Sequence, residues 1–329
     1  MTWITCTIMV TLFVTLGVIM LYWTEINLVS MKPFNKEFTC ALRGFWSIIV
    51  ILVHVPLAFQ NQLQDMAGSF AYIGVTFFFM TSAYGLKISY SKQETGVFWR
   101  KRLPKLLVPM FVVNVVKMLL YKELIFWGLF AINGWVQWLL YCYLAFWFAY
   151  TMNLRCKDLF ICACVVLLSL YWFIMGSGVG WPTEVYGFIW GILLANNVER
   201  LEGKLTMKSY ITQGVILFVI SVIFGVFYLK YKPVVFWGNY LLKILLGVSL
   251  ILLLLWFTKG IKIGNRANLF LGRISYETYL IHGAVMTVVA SVRPDLESSV
   301  FIVVSIVGTV ILAAISHEIG ECILKRIKL

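Results

Sequence analysis

The sequence predicts an all-α protein, a polytopic transmembrane helical bundle of about 10–11 spans with short cytoplasmic and extracellular loops. Three observations predict it. Of 329 residues, 61% are hydrophobic and 12% charged, and the mean hydropathy is +0.91. A soluble domain carries about 25% charged residues, and half that density cannot cover a surface facing water. The apolar runs continue for about 20 residues instead of alternating, which suits helices in a bilayer and not barrel strands. Third, the basic residues gather in every second connection.

The expected spans are 3–22, 43–60, 70–88, 105–121, 135–152, 159–175, 184–198, 210–229, 236–257, 272–290 and 299–320. The first lacks a basic leader and a small-residue cleavage site, so it reads as a retained helix. The stretch 124–132 is apolar but short, and reads as a re-entrant or interfacial piece. With the Met1 end outside, 21 of the 27 basic residues fall in inner loops, among them Lys32, Lys36, Lys92, Arg155, Lys204, Lys259 and Lys328. Lys117, Lys122, Lys230, Lys232, Lys243 and Arg293 fall outside or near the outer ends. The asymmetry places the chain in the cell (plasma or inner) membrane with its N-terminus outside and its C-terminus cytoplasmic. Trp3, Tyr22, Trp23, Trp135, Trp138, Trp181, Tyr231 and Trp237 lie near span ends, where aromatic rings anchor at the interface.

The net charge of +13 follows from this topology and from scarce acids; no run mixes basic and aromatic residues in a nucleic-acid-binding format. The seven cysteines form no CxxC pair and read as small apolar core residues. No motif for nucleotide triphosphate, dinucleotide or metal binding occurs.

An ionisable residue inside a span is a functional candidate. Arg43 and His54 are eleven residues apart in the second span, so they share one helical face, with Arg43 at the inner rim and His54 near the bilayer middle. An Arg there can hold an anion, and a desolvated imidazole can act as a base. A snorkelling Arg with a hydrogen-bonded bundle His explains the pair equally well. Ser275, Tyr279 and His282 are spaced by four and three and stack on one face of the tenth span. His282 then lies at a depth similar to His54, as lining of one polar cavity or as part of an interhelical hydrogen-bond network. Arg100, Lys101, Arg102 and Lys105 form an inner basic loop, with Pro104 suited to a helix start. Such a loop can hold phosphates or simply meet anionic lipid. His317 reads as structural, and Glu184 and Asp65 as solvated residues near outer rims.

These segments together resemble the membrane-bound acyltransferase family 3, the polytopic O-acyltransferases of bacterial glycans. Arg43 and His54 match its Arg-x10-His. The Phe-rich run through Phe77, Phe78 and Phe79 to Ser82 matches its Phe-rich span ending in Ser-Gly. Phe98, Lys101, Arg102, Lys105 and Pro109 match its basic element, and Ser275, Tyr276, Tyr279, Leu280 and His282 match Ser-Tyr-x-x-Tyr-Leu-x-His. Cys40 stands where the family often has an acid, Ala83 replaces Gly, and Lys105 replaces an Arg. The resemblance covers roughly 40–320 of a single 1–329 domain and leaves 1–30 as an additional N-terminal span.

The resemblance implies transfer of an acyl group, usually acetyl, from acyl-CoA on the cytoplasmic side to a hydroxyl of a cell-surface or exported glycan. No permanently bound cofactor is implied; acetyl-CoA is a substrate. It implies that His54 and Arg43 are catalytic, and that Arg102 and Lys105, helped by Arg100 and Lys101, hold CoA. Ser82, Ser275, Tyr276, Tyr279 and His282 would line the cavity or orient the acceptor. The competing class is a transporter or flippase of glycan, lipid or polar solute, against which stands the absence of an inverted repeat. A non-catalytic scaffold of a glycan-assembly complex is the third.

Overall fold

In lipid a helix satisfies its own backbone hydrogen bonds, and the long apolar runs take that form. The computed structural model describes residues 3–22, 25–26, 34–90, 95–123, 125–176, 182–201, 206–258 and 261–327. Lys32, Lys92, Lys204, Lys259, Lys328, Trp23 and Trp181 lie outside them.

The helices are α1 (Trp3–Leu21), α2 (Lys36–Val53), α3 (Gln62–Gly68), α4 (Ala71–Tyr90), α5 (Phe98–Tyr121), α6 (Gly134–Thr151) and α7 (Lys157–Met175). They continue with α8 (Tyr186–Leu201), α9 (Met207–Tyr231), α10 (Lys243–Thr258), α11 (Arg266–Arg273), α12 (Ser275–Val292) and α13 (Ser298–Arg326). A π-helical turn, Trp237–Leu242, leads into α10. A two-residue strand β1 (Glu25–Ile26) pairs antiparallel with β2 (Ile261–Lys262).

Each of the eleven expected spans falls on a helix; α3 and α11 are short extra ones. Among the described residues, seven stretches are long and apolar enough to cross a membrane: α1, α3 with α4, α5, α7, α9, the π-turn with α10, and α13. The chain is a polytopic helical bundle. The other four expected spans, α2, α6, α8 and α12, are shorter or more polar. α2 carries Lys36, Glu37 and Arg43, and α6 is rich in Trp and Tyr. α4 lies at the centre, packed by α2 and α8, while α12, α13, α5 and α2 pack together beside it. α9 faces outward along most of its length.

Helix ends depart from expectation where one residue decides them. α2 starts at Lys36, where the Asn35 side chain accepts from the Phe38 amide at 2.7 Å. It stops at Val53 and not at 60, because Pro56 follows and biases Val55 away from helical backbone. His54 is therefore the C-cap of α2 and not a residue inside a span. α5 starts at Phe98, so Pro104 and the basic residues 100–105 lie within its first turns and not in a loop.

The segment before α6 is tied to α5. Asn114 donates to the carbonyls of Leu129 and Ala131 at 3.1 and 2.9 Å, holding the short 3-10 turn Phe126–Phe130 against α5. The turn itself remains exposed. Trp135 and Trp138 are buried, against Phe78 and Tyr279 and against Trp172 respectively, and are not interfacial anchors. Cys156 and Cys322 are exposed, not core.

Glu184 also departs from expectation. It is buried and paired with Lys243 at 2.7 Å, its second oxygen accepting from Thr183 at 2.8 Å. Lys243 lies 5.1 Å from the centre of the Tyr72 ring. The two charges come from α10 and the approach to α8, so the pair ties distant parts of the chain. Asp65 is exposed, as expected. Lys243→Met leaves a buried carboxylate without its cation and is expected to lower unfolding stability by about 3–5 kcal/mol. Adding Glu184→Gln in the same chain is expected to recover most of that loss, read as thermal unfolding in detergent.

Candidate active site

A cavity of about 350 Å³ opens among α2, α4, α5, α6, α11, α12 and α13. That volume lies within the range of small-molecule sites. One wall is set by a close helix crossing. A Cβ on Gly44 would come within 2.7 Å of the Gly272 amide nitrogen, and one on Gly272 would overlap the Cys40 carbonyl. Only glycine at both positions lets α2 and α11 approach so closely. Arg43 and Arg273 adjoin these two glycines, and both side chains line the cavity.

The facing wall comes from α5. Arg102, Lys105, Leu106 and Pro109 share a helical face at spacings of three and four and line the cavity together. Arg100 and Lys101, exposed as Lys105 also is, are not among the described lining residues of the cavity. The cavity thus gathers four cations, Arg43, Arg102, Lys105 and Arg273, against one carboxylate, Glu277, among its described lining residues. Arg43 Nε is buried with no hydrogen-bond partner among the described residues.

Ser82, Ser275, Tyr276 and Tyr279 line the cavity, as do Thr81 and Tyr143. Tyr276 donates its hydroxyl to the Leu106 carbonyl at 2.9 Å, joining α12 to α5. Trp135 packs at the inner end, its ring centre 5.0 Å from Tyr279, 5.9 Å from Tyr276 and 6.1 Å from Phe78.

His54 and His282 lie beyond this aromatic layer and are not lining residues of the cavity. Their rings meet, with centres 4.7 Å apart, and the His282 ring centre is 5.8 Å from that of Tyr279. His282 is buried, whereas His54 is exposed. His54 Nδ1 lies 2.8 Å from the Val50 carbonyl, and His282 Nδ1 3.3 Å from the Thr278 carbonyl. A carbonyl only accepts, so Nδ1 is the donor in each ring, and it is Nε2 that keeps the lone pair whenever the ring is neutral. The order along the site is cationic mouth, Tyr279, His282, His54.

Glu277 and His317 were not expected here. His317 lines the cavity, with Nδ1 3.0 Å from Glu277 Oε1. Glu277 is an acid inside a span, which is the signal that marks it. Arg273 carried a weaker signal, its position beside the Ser-Tyr element.

A family model described as an acyltransferase domain, the third of the acyltransferase families, matches residues 41–318. The chain belongs to this acyltransferase family. The match includes all the cavity-lining residues and both members of the central histidine pair. No curated protein and no solved structure matches the chain at a significant level. As a family member, this membrane acyltransferase has the cavity just described as its candidate active site.

Trp135 is the largest single filler of the aromatic layer. Trp135→Ala is expected to cost about 3–5 kcal/mol of stability, read as a lower thermal midpoint in detergent.

Proposed function

We propose that the protein is an O-acyltransferase that moves an acyl group, acetyl in the simplest case, from cytoplasmic acyl-CoA to a hydroxyl of a cell-surface or exported glycan. The observation that carries this reading is a cavity that gathers four cations and is lined by Tyr279, against which the His282–His54 pair lies. A cluster of cations with one carboxylate favours a polyanionic donor, and CoA phosphates supply the charge. Arg102 and Lys105 hold those phosphates at the mouth, with Arg100 and Lys101 adding positive potential outside it. Arg43 and Arg273 guide the thioester arm, and Arg43 Nε is the donor available to a thioester carbonyl. Ser82, Ser275 and Tyr276 shape the passage.

On this reading the cationic mouth faces the cytoplasm, the N-terminus lies outside and the membrane is the plasma or inner membrane. His54, exposed at the end of α2, meets the acceptor from the opposite side. Its Nε2 lone pair takes the hydroxyl proton as the oxygen attacks the acyl carbon. His282 sits against that ring and fixes its position.

The test is acyl content of the surface polysaccharide in a strain lacking the protein, complemented with native chain or with His54→Ala at matched membrane levels. Native chain is expected to restore acylation, and the variant to leave it at least about 100-fold lower. Equal restoration would make His54 structural. Purified protein is also expected to be stabilised by acetyl-CoA, by about 2.7 kcal/mol at 100 times Kd. Arg102→Ala is expected to remove most of that thermal shift.

A further inference from the structure

The mechanism above leaves one buried acid–base pair in the cavity unused. The Glu277 side chain is 4% exposed, and its Oε1 lies 3.0 Å from His317 Nδ1. Its Oε2 is buried with no hydrogen-bond partner among the described residues. A carboxylate in a helix bundle is costly to keep, and mere anchoring of α12 to α13 does not require one. The pairing engages Nδ1 and leaves Nε2 as the ring atom free for a ligand, the arrangement that holds a proton-transferring imidazole in one orientation. His317 lines the donor cavity and His54 is not among its described lining residues, so the two rings come to the site from different elements, α13 and the end of α2.

Acyl transfer needs two proton movements. The acceptor hydroxyl loses a proton, and the departing sulfur gains one. A neutral thiol is a better leaving group than its thiolate, so a proton delivered to the departing sulfur lowers the barrier. We propose that His317 is the general acid of the reaction, protonating the sulfur of departing CoA from Nε2, with Glu277 as the positioning residue that orients the ring and balances its charge. This rests on the acyl-CoA reading above. The acceptor O–H proton goes to His54 as the new C–O bond forms. The thioester C–S bond breaks, its electron pair stays on sulfur, and sulfur takes the His317 proton. His317 is reprotonated from water at the cavity mouth, and His54 releases its proton at its exposed side.

The experiment compares two donors with purified native protein, His317→Ala, Glu277→Gln and His54→Ala. The acceptor is surface polysaccharide isolated from a strain lacking the protein. The donors are acetyl-CoA and S-acetyl-4-nitrothiophenol, whose thiolate leaves without a proton. His317→Ala is expected to slow acetyl-CoA turnover at least about 100-fold and the aryl thioester by less than about tenfold. Added imidazole is expected to restore part of the acetyl-CoA rate. Glu277→Gln is expected to lower kcat for acetyl-CoA with little change in KM. His54→Ala, acting on the acceptor, is expected to slow both donors alike. Equal loss on both donors in His317→Ala without imidazole rescue, or no loss at all, would overturn the general-acid assignment and leave the acyltransferase reading intact. Native protein inactive with both donors would overturn the acyl-CoA reading and the assignment together.

Discussion

Four cations facing one carboxylate in a helix-walled cavity is the constraint on which the rest of the structure depends. Like charges repel more strongly as the surroundings become less polar, so side chains alone would spread apart. Backbone geometry holds them. Gly44 and Gly272 force α2 and α11 together, and each glycine carries an arginine as its neighbour in sequence. The hydrogen bond from Tyr276 to Leu106 brings α5, with Arg102 and Lys105, against α12. The resulting excess of positive charge is an unspent attraction for an anion.

The bundle was legible in the sequence because lipid admits few alternatives. Runs of about 20 apolar residues had to be helices. The ends were less legible, because single residues set them. Pro56 stops α2 and moves His54 from the inside of a helix to its cap. The basic stretch 100–105 was legible as a cluster of cations, but its helical phase decides which of them line the cavity. With α5 beginning at Phe98, Arg102 and Lys105 line the cavity, whereas Arg100 and Lys101 are not among its described lining residues.

The pairings across the chain were least legible. Glu277 and His317 are 40 residues apart, and Glu184 and Lys243 are 59 apart. Nothing local in either segment names its partner. Taken singly, His317 looks like a structural residue beside Glu318 and Glu321, and Glu184 like a rim acid. Only the packing of α12 on α13, and of α10 beside α8, turns these residues into buried pairs. The two histidines were different: equal depth on two helices already pointed to one neighbourhood, and the rings do meet.

Between the cavity and the exposed His54 stands a partition of aromatic rings, chiefly Tyr279, Trp135 and Phe78. A polar cavity ending at such a layer shortens the distance over which a membrane potential falls. Charge crossing the layer then feels most of the voltage, worth about 2.3 kcal/mol per elementary charge per 100 mV. The rings that line the candidate site therefore form a low-dielectric wall as well as a boundary of its space.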